Sequence, residues 1–118
     1  MSIKRGDDNS IVIFLHDNSF VTGDKVFFNL KKREYDTDHV LQILVTSFID
    51  YEDINNVIHP GSAIINIRHE DTENLYCGDY IYNIHIEWQD GTHQTPIGPA
   101  TFSLLPGADD ADMGEEMV

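Results

Sequence analysis

Residues 80–88 alternate without interruption. Tyr80, Tyr82, Ile84, Ile86 and Trp88 fall on one side, and Ile81, Asn83, His85 and Glu87 on the other. Successive side chains of a strand point to opposite faces, so the pattern predicts a long strand with one buried face. Asp90-Gly91 follows, a dipeptide suited to a two-residue hairpin turn. Counting back from that turn pairs Trp88 with His93, Ile86 with Thr95 and Ile84 with Ile97, so the apolar face continues across the hairpin. The chain breaks at Gly98-Pro99, and residues 100–105 read as a last strand.

The same reading extends toward the amino terminus. In residues 10–16, Ile11, Ile13 and Leu15 alternate with Val12, Phe14 and His16, so both faces of this strand are largely apolar. If the first set fills the core, Val12 and Phe14 emerge on the other face, and these two are the candidate interface residues. Asp17-Asn18-Ser19 and Gly23-Asp24 are turn signals before a strand at 25–31 with Val26, Phe28 and Leu30 inward. Residues 40–48 also fit a helical stripe through Leu41, Leu44, Val45 and Phe48, but their β-branched content favours a strand. An acidic loop is expected at 50–56, a break at His59-Pro60-Gly61 and a short strand at 62–67. Residues 69–75 suffice for a single helical turn, capped by Asp71 or Thr72.

About seven strands with frequent turns predict an all-β fold, an immunoglobulin-like antiparallel β-sandwich. Gly78-x-Tyr80 sits where such a sandwich turns into a late strand, and a tyrosine hydroxyl there bonds back to nearby backbone. Gly78 and Tyr80 are therefore the candidate structural corner, with Tyr82 the second choice for the hydroxyl. The organisation expected is one domain over 1–106 and an acidic, flexible tail over 107–118.

Charge narrows the partners. The formal net charge is −14, and Asp109, Asp110, Asp112, Glu115 and Glu116 of the tail account for five of the acids. The remaining sixteen acids against seven bases leave the body strongly negative. Such a surface repels phosphate backbones and disfavours nucleic acid as a partner. The lone Cys77 excludes an internal disulfide. The opening residues lack the apolar core of a signal peptide, and no apolar run has membrane-spanning length, so no membrane partner is expected.

The order Glu70-Asp71-Thr72 with Leu75, then Gly78-Asp79-Tyr80-Ile81-Tyr82-Asn83-Ile84, the Asp90-Gly91 turn and Gly98-Pro99-Ala100-Thr101-Phe102-Ser103-Leu104 resembles the amino-terminal domain of phage baseplate upper proteins and related prophage proteins. The opening Lys4-Arg5-Gly6-Asp7-Asp8 is similar to the start of such domains, and the resemblance covers roughly residues 3–106. It implies a non-enzymatic structural or adapter component of a phage or prophage tail. Its partners would be other tail or baseplate proteins and further copies of itself. Its place would be the virion, or the host cytoplasm during assembly.

Candidate chemistry adds little. His85 and Glu87 share the polar face of the long strand, while the counted register puts His93 on the opposite face. No HExxH, CxxC or calcium-loop spacing occurs, and no metal or other cofactor is expected. Cys77 at a turn has no histidine beside it in sequence. Asp7-Asp8 and Glu52-Asp53 are adjacent rather than facing pairs, so no catalytic residue is assigned. Arg5-Gly6-Asp7 spells an adhesion tripeptide that a simple turn also explains. The alternative reading is a small carbohydrate- or cell-surface-binding sandwich using the loop tyrosines Tyr35, Tyr51 and Tyr76, with Trp88 in the core or at its rim.

Overall fold

The computed structural model describes residues 1–16, 18–33 and 35–107. The elements are β1 (Ser2–Lys4), β2 (Asn9–Ile13), β3 (Lys25–Lys31), β4 (Leu41–Val45), β5 (Ile49–Glu52), β6 (Ile58–Ile67), a single helical turn α1 (His69–Thr72), β7 (Gly78–Glu87) and β8 (His93–Leu105). They form a five-stranded sheet, β1-β8-β7-β3-β4, and a three-stranded sheet, β2-β6-β5. The protein is an all-β sandwich of two sheets. Among the described residues there are eight strands, and β1 pairs with β8 in parallel, so the sheets are not wholly antiparallel.

Strand alternation builds the core. Val26, Phe28 and Leu30 of β3 are fully buried, as are Ile84 and Ile86 of β7, and Ala63, Ile65 and Ile67 of β6 face them from the smaller sheet. Phe28 stacks on Tyr82 at 5.8 Å between ring centroids and meets the edge of Phe102 at 6.0 Å. Residues 41–45 are a strand, not a helix, with Leu41, Ile43 and Val45 toward the core. β6 runs straight through His59-Pro60-Gly61, where a break was expected, and β5 occupies part of the expected acidic loop. A register irregularity between β5 and β6 accommodates the proline there. The acidic tail expectation for 107–118 lies, apart from Gly107, outside the described residues.

The β7–β8 hairpin departs from the counted register. Trp88 N donates to Thr92 O at 2.8 Å, and Gly91 N to Trp88 O at 2.9 Å, so the loop has three residues, Gln89, Asp90 and Gly91. Gly91 takes a positive φ of 89°, as the last residue of such loops does. Asp90 Oδ1 closes the turn by accepting from Thr92 N and Thr92 Oγ1 at 2.9 and 2.6 Å. The extra residue shifts the pairing by one: Glu87 faces His93 and Ile86 faces Gln94. A bulge then restores the expected pairing of Ile84 with Ile97. A second shift lies at Gly98, whose φ is 100° and where a Cβ would sit 2.5 Å from Tyr82 O.

The turn is tied to the rest of the fold by Asp24, which is 3% exposed. Its Oδ1 accepts from Gln89 N and its Oδ2 from Val21 N, both at 2.9 Å. Replacing Asp24 by Ala leaves two amides without acceptors and is expected to cost about 2–4 kcal/mol. Ile84→Ala is expected to cost about 2–5 kcal/mol as a large-to-small core change, whereas Ile97→Ala, its cross-strand partner at the surface, costs far less. Urea unfolding of the three variants checks both statements.

Candidate functional site

Three surface regions collect residues singled out above, and a fourth adds contacts between distant strands. The first is the corner where the chain enters β7. Tyr80 is buried and its hydroxyl donates to the Tyr76 carbonyl at 2.6 Å. Burial pushes the Tyr80 phenol above its ordinary value. Lys32 Nζ lies 4.8 Å from the centre of its ring. Gly78 precedes it with a φ of 140°. Tyr82 packs its ring on Phe28 and Phe102. Cys77 is a free, exposed thiol beside this corner. The Arg5-Gly6-Asp7 tripeptide is anchored here rather than displayed. Arg5 Nη1 donates to Leu75 O at 3.1 Å, and Gly6 N to the buried Thr72 Oγ1 at 3.0 Å.

The second region joins the start of β2 to α1. Asp8 Oδ1 accepts from His69 N at 2.6 Å and lies 3.1 Å from His69 Nδ1. Asp71 Oδ2 accepts from Arg68 N at 2.8 Å, holding the single turn from its third residue rather than from the capping position. These groups border a shallow cavity of about 410 Å³ with Asn9, Ser10 and Asn66. The His69 amide and ring hold the Asp8 carboxyl below its ordinary value, and Asp8 raises His69.

The third region is the outer side and tip of the smaller sheet. Ile11, Ile13 and Leu15 pack on the core, whereas Val12 faces outward opposite Ile64 in the β2–β6 register. Phe14 lies just past the end of β2 and stacks on His59 at 4.0 Å. Tyr51 of β5 stacks on the same imidazole at 6.3 Å. The ring faces of this row are turned to one another. His59 Nε2 lies 2.9 Å from Asp53 Oδ2, and that bond holds Asp53 below the ordinary carboxylate value. Phe14, Leu15, Val57, Ile58 and Pro60 line an open groove of about 630 Å³ beside this row.

The fourth region was not foreseen. On the outer face of the larger sheet, Gln42 Nε2 donates to Asn29 Oδ1 at 2.7 Å, and Asn29 Nδ2 to Asn83 Oδ1 at 2.9 Å, a polar chain across β4, β3 and β7. One row along, the two histidines expected on opposite faces meet. His85 Nε2 lies 2.9 Å from His93 Nδ1, and His85 Nδ1 lies 2.9 Å from Thr95 Oγ1. The three-residue loop is the reason, because a slip of one residue moves a strand's side chains to the other face. No group of three or more His, Cys, Asp or Glu side chains gathers as metal ligands would among the described residues.

The remaining aromatic candidates are dispersed. Trp88 stacks on Phe20 at 5.8 Å, and its Nε1 donates to Gln94 Oε1 at 3.2 Å. Tyr35 is exposed beneath the Arg33 guanidinium, which donates to its hydroxyl at 3.0 Å, and Tyr76 is exposed. No helix among the described residues is long and apolar enough to cross a membrane. Comparison with known proteins finds no matching family, curated protein or solved structure.

The Asp8–His69 pair yields a pH prediction. His69 is raised, so its contribution is complete below the ordinary histidine value of 6.5 and fades as pH rises through the folded value. Asp8 is lowered, so its contribution is complete above 3.8 and fades as pH falls through its folded value. The pair therefore supports the fold best between those limits. In a proton NMR titration His69 is expected to titrate above 6.5, and Asp8→Asn is expected to return it toward that value.

Proposed function

We propose that this protein is a non-enzymatic adapter that works through protein–protein contacts as a component of a phage or prophage tail or baseplate. The observation that carries the contact reading is the apolar surface at the tip of the smaller sheet. Ile54 is 95% exposed, Ile58 60%, Val57 50% and Phe14 47%, all at the β5–β6 hairpin or beside it. Apolar side chains gathered this way mark interaction surfaces, and each is worth about 1.5–3 kcal/mol when fully buried. β2 and β5 are the two edges of that sheet, and unpaired edge amides add a template for a partner strand.

The tail or baseplate setting is supported by the order of residues from Glu70 to Leu104 and by the sandwich those residues build. The carbohydrate alternative has thinner support, because Tyr51 spends its ring on His59 and Tyr35 lies under Arg33.

Sedimentation of the wild type against the Val12→Lys, Phe14→Glu double variant tests the contact surface. The wild type is expected to self-associate and the double variant to be a folded monomer. A wild type that stays monomeric at high concentration, fails to bind neighbouring tail proteins and retains a glycan on an array would replace the adapter reading with the carbohydrate one.

A further inference from the structure

We propose that His85 and His93 form a binding site for a divalent first-row transition-metal ion, copper(II) or nickel(II) ahead of zinc, on the outer face of the five-stranded sheet. The proposal does not depend on the adapter reading.

The two imidazoles stand on adjacent, paired strands rather than on loops. β7 carries His85, and β8 carries His93 directly opposite Glu87, so the histidines are diagonal neighbours on one face. Sites built on paired strands hold their ligands more firmly than sites on loops. The ring centroids are 5.1 Å apart with planes inclined by 27°, and the nitrogens nearest each other are 2.9 Å apart. Those nitrogens therefore face one another edge to edge.

Thr95 Oγ1, a hydroxyl that can accept or donate, lies 2.9 Å from His85 Nδ1 and is compatible with the tautomer that coordination needs. With His85 Nδ1–H donating to Thr95 Oγ1, the Nε2 lone pair points toward His93. A ligating histidine whose other ring nitrogen is held by a hydrogen bond is the common arrangement around protein metals. In that tautomer, and without metal, His93 donates its Nδ1–H to that lone pair. On metal binding, the proton on His93 Nδ1 passes through water to Nε2, and its Nδ1 lone pair becomes the second ligand. Between neutral imidazoles this exchange leaves the proton count unchanged, and from an imidazolium one proton is released.

The 2.9 Å separation is that of a hydrogen bond between the rings, and it places the two nitrogens within reach of one ion without choosing the ion. The choice rests on ligand type, since divalent affinities at nitrogen sites rise through nickel(II) to copper(II) and fall at zinc. Binding requires each ring to turn so that both lone pairs converge on the ion, and both rings are at the surface, where water fills the remaining positions. The charge around the pair favours a cation. Glu87 lies across from His93 and Asp90 is in the adjoining turn, while Lys25, across from Glu87 on β3, is the base in register there. His59 and His69 are engaged with Asp53 and Asp8, whereas His85 and His93 meet each other as a nitrogen-only pair.

Trp88 is the single tryptophan and lies on the same hairpin, so copper(II) and nickel(II) bound at the pair should quench its fluorescence. The test is titration of the full chain with copper(II), nickel(II) or zinc chloride, read by Trp88 quenching and by calorimetry. One ion per chain is expected, with copper tightest and zinc weakest. Acidification should weaken binding, because a protonated imidazole cannot coordinate. His85→Gln and His93→Gln are each expected to weaken binding by about tenfold or more, and Thr95→Val by less. His69→Gln should leave it unchanged. The melting temperature of each variant without metal confirms that the sandwich is intact. Binding that survives in the His85→Gln, His93→Gln double variant, or that His69→Gln removes, overturns the proposal. So does the absence of any binding to the wild type at millimolar metal.

Discussion

The register between β7 and β8 is the constraint on which the rest of the molecule depends. β7 lies between β8 and β3, and its inward residues complete the core. A slip of one residue along β8 would turn Phe102 and Leu104 out to solvent. The chain prevents this with three local devices. Gly91 allows a three-residue loop, Asp24 clamps that loop from the β2–β3 connection, and the shift at Gly98 realigns the strand beyond it. The shape of the outer face follows from the same devices, since they decide which polar side chains of β8 stand beside those of β7.

Much of this was legible in the sequence. The alternation from Tyr80 to Trp88 foretold the buried set of β7, and that of Val26, Phe28 and Leu30 foretold β3. β-branched content separated strand from helix at β4 correctly, because there a sheet edge rather than a helical face was waiting to be filled. What escaped was set by backbone geometry or by distant pairing. β1 has three residues and no period of its own, and exists because β8 supplies its partner across most of the chain. Pro60 and Gly61 look like a break, yet an irregular edge pairing absorbs them inside β6. Asp90-Gly91 signals a hairpin without stating whether Gln89 belongs to the loop, and that single residue decided where His93 points.

The surface regions divide in the same way. The Tyr80 bond to Tyr76 joins residues four apart, so local sequence carried it. Val12 and Phe14 followed from strand parity, although Phe14 lies beyond the end of β2 and owes its position to His59. The pairing of Asp8 with His69, like the polar chain through Asn29, joins segments distant in sequence, and no spacing rule announces such contacts. Function is faint in this chain for a related reason. The proposed contact surface is made of ordinary apolar residues, and only the fold reveals that Ile54 and Ile58 are left in water together.

The parallel pairing of β1 with β8 has a mechanical consequence. Ser2 lies beside Ser103 and Lys4 beside Leu105, with both strands running the same way. Tension applied between Met1 and Gly107 therefore pulls the two strands past one another along their length. The three residue pairs, with the flanking bonds from Ser103 N to Met1 O and from Arg5 N to Leu105 O, share that shear at once instead of opening one after another. The sandwich is fastened against stretching where its first and last strands meet, and resistance to force of this kind is governed by the rate of rupture rather than by equilibrium stability.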